Sequence, residues 1–209
     1  MSRLSIASPR VLATLALLGF LAALLGFGAA THGYSHAHHP VALLGARGVP
    51  HWAAFDLLAF VLPGLLAWAA TMRTSLSWQA RDDAGWATGI GWTLCTFAAI
   101  AFAAQGALPV DATKGFEFGL GRVHTMAWTV WWIASVTGML LLAIGMRGTS
   151  TFGLRFGTAL VAAIVLAFTL FVAVPGAPAM GQRITFVAWL AWLAWLAWRS
   201  GVETTRAAR

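Results

Sequence analysis

The chain has 209 residues, of which 60% are apolar and only 9% are Asp, Glu, Lys or Arg, against about 25% charged residues in a soluble domain. Thirteen basic and six acidic side chains cannot coat a water-facing globule, and the mean hydropathy of +0.79 excludes a cytosolic enzyme, a secreted disulfide scaffold and a disordered tail. The composition is that of an integral membrane protein, whose first partner is the lipid bilayer. The formal net charge is +7, yet the basic residues form no stripe, so no nucleic-acid partner is expected. The single Cys95 excludes an intrachain disulfide and multi-cysteine metal or iron–sulfur centres.

A hydrocarbon core about 30 Å thick is crossed by roughly 20 apolar residues of helix. The first run that qualifies, 11–30, is free of charge. Arg3 and Arg10 before it and Gly28-Ala29-Ala30 after it imitate a signal peptide, but the apolar stretch is too long for one, and a retained helix is expected. The second run, 53–72, carries Asp56 and Pro63. The third and fourth are 85–108 and 125–146, the fifth is 156–174, and the sixth and shortest is 184–198. Glycine and proline are tolerated inside such helices because neighbouring helices satisfy the freed backbone. The expected fold is all-α, a bundle of six transmembrane helices forming one domain over 1–209.

Basic residues set the expected orientation. The N-terminus, the second and fourth loops and the C-terminus hold nine: Arg3, Arg10, Arg73, Arg81, Arg147, Arg155, Arg199, Arg206 and Arg209. The first, third and fifth loops hold four: Arg47, Lys114, Arg122 and Arg183. Both termini are therefore expected in the cytoplasm and every histidine on the outer side. The inner loops read as plain connectors. The outer loops are chemically loaded: His32, His36, His38, His39 and His51 in the first, Asp111, Lys114, Glu117 and Arg122 in the third, and Gln182 with Arg183 after the fifth. His124 is expected to open the fourth helix.

Three segments on that outer side carry a resemblance. Tyr34-Ser35 is followed by Leu44-Gly45-Ala46 and Pro50-His51-Trp52; Gly106-Ala107-Leu108-Pro109-Val110-Asp111 precedes His124; and Gly181-Gln182-Arg183 leads into the last helix. In order and spacing the chain resembles, over nearly its whole length, the six-span bacterial family catalogued as domain of unknown function 998. That family reads Phe-Pro-x-Asp at Leu108–Asp111 and Glu-Arg at Gln182-Arg183, so an acidic role at position 182 is lost here. The resemblance implies a six-span fold in a bacterial inner membrane and a polar outer site, and no particular reaction.

The tightest candidate constellation is His124, Asp111, Arg183 and Asp56. Asp56 lies one turn into the second helix, where an ionised carboxylate is costly unless paired or hydrated. In a catalytic site His124 would be the acid–base group and Asp111 would orient its imidazole. Arg183 and Arg122 would hold an anionic head group in their planar forks. The bland alternative is an ion-pair network that staples the helix ends. Tyr34 and Ser35 are candidate nucleophiles without an evident base. His32 and His36, four apart, would share a face if the first helix continued outward, and could then bind zinc; a solvated histidine-rich loop is the competing reading. A bis-histidine haem would need His32 or His36 opposite His124. The repeat Trp189, Trp192, Trp195 and Trp198 fans across half a helix surface and reads as a bulky lipid-facing helix, with Ala191, Ala194 and Ala197 as its close-packing face. Function is thus expected at an outer polar site that binds, and in the stronger form transforms, a lipid or lipid-linked molecule. The alternatives are an accessory subunit docking a partner membrane protein or a second copy, and a small proton-linked transporter.

Overall fold

A computed structural model describes residues 8–79, 85–146 and 151–207. Arg3, Arg81, Arg147 and Arg209, on which the orientation count partly rests, lie outside the described residues. Ser8 starts the first helix: its Oγ accepts from the Val11 amide at 3.4 Å, and Pro9 follows where a missing N–H costs nothing. Helix α1 runs Pro9–Ala30 and ends where Thr31 turns extended and Gly33, at φ 76°, redirects the chain. Helix α2 comprises Trp52–Asp56, a π-helical turn at Leu57–Val61 and a final stretch Leu62–Gln79. Pro63 follows that π turn directly; a proline ring crowds the preceding helical turn and gives no N–H, and the wider turn accommodates both.

Helices α3 (Trp86–Ala107), α4 (Gly119–Gly145), α5 (Phe152–Leu170) and α6 (Met180–Ala207) complete the bundle. Among the described residues there is no strand, only isolated bridges joining Arg47 to Asp111 and Asp111 to Gly115. Five helices, α1 to α5, are long and apolar enough to cross a membrane. The sixth charge-free run alone would span only about 22 Å at 1.5 Å per residue. Because Arg183 is buried against protein, the lipid-compatible length starts at Gly181 and reaches about 27 Å.

Two helix ends differ from expectation for definable reasons. Helix α4 starts at Gly119, six residues before the apolar run, because its polar first turn lies outside any hydropathy window. His124 therefore sits in the second turn instead of opening the helix. Helix α5 stops at Leu170, since the segment that follows runs into Pro175 and a residue before proline avoids helical backbone.

Successive helices pack against each other and α6 closes the ring against α1, while also touching α2 across the centre. The centre is aromatic: Phe20, Phe60, Phe102, Trp131, Phe186 and Trp189, from five helices, meet with ring centroids 4.8 to 6.3 Å apart. This corrects the reading of the tryptophan repeat. Trp189 and Trp192 are buried, Trp192 donates its indole N–H to Thr158 Oγ1 of α5 at 3.0 Å, and only Trp198 is well exposed. The apolar outer surface of the bundle is supplied instead by residues such as Leu25, Leu76, Phe97 and Ile144.

Helices α3 and α4 approach each other closely through Gly91 and Gly138. A Cβ at Gly138 would lie 2.8 Å from Cys95 Sγ and 2.9 Å from the Gly91 carbonyl, so the pair must part to admit a methyl. Gly138→Ala should therefore cost about 1–3 kcal/mol of stability. Gly89→Ala, whose Cβ meets nothing within 4 Å, should gain up to about 1 kcal/mol. Thermal unfolding of the two variants in the same detergent reads the difference.

Candidate functional site at the loop-bearing end

The loops after α1, α3 and α5 gather at one end of the bundle through backbone bonds. The Arg47 amide donates to the Val110 carbonyl at 2.7 Å and the Ala112 amide returns a bond to the Arg47 carbonyl at 3.2 Å. The Ala179 amide donates to the Ala37 carbonyl at 2.9 Å, and the Val41 amide to Gln182 Oε1 at 2.9 Å. All three segments in which the family resemblance resides thus meet in space.

Arg183 is the hub of this end. The residue is 5% exposed, and among the described residues its guanidinium bonds to no carboxylate. Nη2 donates to the Tyr34 hydroxyl and to the His39 carbonyl at 2.9 Å, Nη1 to the Ala179 carbonyl at 2.7 Å, and Nε to His36 Nδ1 at 3.4 Å. Tyr34 completes the chain by donating to the Pro40 carbonyl at 3.4 Å. Burial raises the Tyr34 phenol above its ordinary pKa against the pull of the guanidinium, so it serves as a neutral hydroxyl. These bonds occupy the donors expected to hold an anionic head group. Arg183 anchors the first loop, and Tyr34 is held as its acceptor.

His124 is buried and flanked by Phe60 and Phe116, at 6.5 and 6.1 Å between ring centroids. Its Nδ1 lies 3.0 Å from the Gln105 carbonyl and 3.1 Å from the Leu108 carbonyl. Carbonyl oxygens only accept, so Nδ1 carries the proton and Nε2 is left with its lone pair. The sequence favoured Asp111 as the orienting partner; the end of α3 takes that part. Residues at a helix C-terminus have carbonyls without intrahelical partners, and Gln105 and Leu108 supply theirs. The imidazole lines a cleft of about 240 Å³ together with Phe116, Thr125, Trp128 and Gln182. The Trp128 indole N–H has no protein partner.

Asp111 itself is engaged locally. Its Oδ1 accepts from the Thr113 hydroxyl at 2.6 Å and from the Thr113 and Lys114 amides, which lowers its pKa below the ordinary carboxylate value. Arg122 is exposed, and two residues along a helix turn through about 200°, so it points away from His124. His32 is exposed in the turn after α1, and His36 faces Arg183, so the expected shared face does not form. Among the described residues no three His, Cys, Asp or Glu side chains come together to hold a metal, and the donor set does not fit the zinc site considered above.

Asp56 is buried, with Oδ2 lacking any partner. It joins neither Arg183 nor Arg122, so the ion-pair staple is not built. Gly45 packs directly on the carboxylate: a Cβ there would fall 1.8 Å from Asp56 Oδ1. Gly106 of α3 presses on the same turn, where a Cβ would meet the Asp56 carbonyl at 2.6 Å. One turn of α2, ending in its π-helical stretch, is thus clamped between a loop glycine and a helix glycine. Gln105, fully buried with both amide atoms unpartnered, was not singled out from sequence; a lone glutamine in an apolar run was the available signal.

No family model, curated protein or solved structure matches this chain.

The His36–Arg183 contact makes the first loop pH-sensitive. Burial, reinforced by the guanidinium charge, lowers the His36 pKa from its ordinary value. The unfolded chain takes up this proton near pH 6.5 and the folded chain only at lower pH, so protonation favours unfolding between the two values. The attachment is complete above about pH 6.5 and weakens as the pH falls toward the depressed native value. Hydrogen exchange over 35–41, corrected for intrinsic rates, should quicken below about pH 6.5 in the wild type. His36→Asn, which keeps an acceptor that does not titrate, should abolish that pH dependence.

Proposed function

We propose that the chain is a multi-pass membrane protein whose loop-bearing end binds the polar head of a lipid or lipid-linked molecule beside His124. The observation that carries this reading is the pair of carbonyls on His124 Nδ1, which leaves Nε2 as the acceptor of a residue that lines a cleft with aromatic walls. Phe116 and Trp128 offer apolar surface to a tail, while Nε2 offers an acceptor to a head group. A hydroxyl or protonated phosphate donating to Nε2 fits that polarity. In a reaction on such a head group, His124 Nε2 would act as general base, with the imidazolium held by the same two carbonyls. Asp56, unpaired at the same end of the bundle, is the second ionisable group of the reading.

The excess of basic residues on the alternate loops supports cytoplasmic termini and an outward-facing cleft. The meeting of the three resembling segments supports kinship with the six-span bacterial family and, with it, a place in the inner membrane.

Native mass spectrometry of the protein released from mild detergent tests the site. Stoichiometric lipid-like adducts should be present, their number should fall by one in His124→Ala, and it should be unchanged in Arg122→Ala. A bare chain, or an adduct count that His124→Ala leaves unchanged, would overturn the reading and favour an accessory subunit.

A further inference from the structure

A second feature lies on the opposite flank of the same end. Between α1 and α2 runs a groove of about 500 Å³, floored by Gly19, Ala22 and Gly26 of α1 and walled by Leu58 and Leu62 of α2, with His51 at its mouth. It shares no lining residue with the His124 cleft. Its lining extends along α1 from Gly19 to Ala30, eleven steps, or about 16 Å at 1.5 Å per residue. That is about half of a 30 Å hydrocarbon core, the depth of one leaflet. A second transmembrane helix would need a groove along the whole span. One acyl chain needs only this length.

The mouth is strained, and a guanidinium lies beside the residue that follows it. His51 is exposed and is the one non-glycine among the described residues with positive φ, at 62°. It starts α2 without making a side-chain cap, and the Trp52 amide turns back to the Val49 carbonyl at 3.3 Å. Arg47 stacks its guanidinium over Trp52, 5.8 Å from the ring centroid. Asp111, bridged to Arg47 through the backbone, turns its carboxylate onto Thr113 and Lys114 instead.

The geometry points to a lipid site in this groove, taking one acyl chain of a phospholipid with an anionic head held at His51 and Arg47. The small residues give depth, the two leucines grip the chain, and Arg47 beside Trp52 selects the head-group charge.

Gly26 allows a clean test, because it lines the groove and a Cβ there meets nothing within 4 Å. Purified protein in mild detergent is titrated with phosphatidylglycerol or phosphatidylcholine, and bound lipids are counted by native mass spectrometry. The wild type should hold one phosphatidylglycerol, preferred over phosphatidylcholine by about tenfold. Gly26→Leu should weaken that binding by about tenfold at an unchanged unfolding temperature. Arg47→Ala with His51→Ala should erase the head-group preference, and His124→Ala should leave this lipid in place. Unchanged binding in Gly26→Leu, no preference in the wild type, loss in His124→Ala, or a dimer that Gly26→Leu dissociates would each overturn the assignment.

Discussion

A guanidinium buried in an apolar bundle must find its acceptors within the protein, and Arg183 finds them without any carboxylate. Three neutral oxygens and one imidazole nitrogen surround it. Hydrogen bonds to a charged group are each worth about 1.5–3 kcal/mol, and losing the guanidinium would strand several buried acceptors at once. This arrangement fixes the path of the first loop over the end of α6. Gln182, one residue earlier, holds the Val41 amide and also lines the His124 cleft, so the anchor and the candidate site share a turn of helix. The planar fork is what makes the anchor possible, since an ammonium could not address four acceptors in these directions.

The charged groups at this end are therefore not a staple of ion pairs. Asp56, Asp111 and Arg183 are each settled separately: one against Gly45 without a hydrogen-bonding partner for Oδ2, one in its own turn, one among backbone carbonyls. A structural network would spend these charges on each other. Here the Asp56 Oδ2 is left without a partner and the His124 imidazole keeps a lone pair on Nε2. Their neighbours, Gln105 and the clamping Gly106, come from one short stretch at the end of α3, which gives its carbonyls to His124 and packs closely on α2.

Much of the architecture was legible in composition. A near-absence of charge and six apolar runs pointed to a helical membrane bundle, and the clustering of histidines pointed to the loop-bearing end that holds the candidate site. The partners were not legible, because His124 and Arg183 are satisfied mainly by backbone carbonyls, and every residue owns one. Asp111 illustrates the limit: its sequence position suited His124, but Thr113 two residues on captured it in a turn. The tryptophan repeat was misread for a related reason. A residue type marks a helix face as bulky, whereas only the closure of the ring by α6 against α1 decides that Trp189 and Trp192 point inward. The early start of α4 escaped notice because its first turn is polar although helical.

The central claim is that the end of α3 fixes His124 with its proton on Nδ1 and its lone pair on Nε2. Nitrogen-15 NMR of the imidazole, in protein labelled at histidine and placed in lipid nanodiscs, measures this directly, with His124→Gln assigning the resonance. The account predicts a neutral ring protonated at Nδ1, with the Nε2 resonance responding to added lipid. A ring protonated at Nε2, with Nδ1 unprotonated, would contradict it.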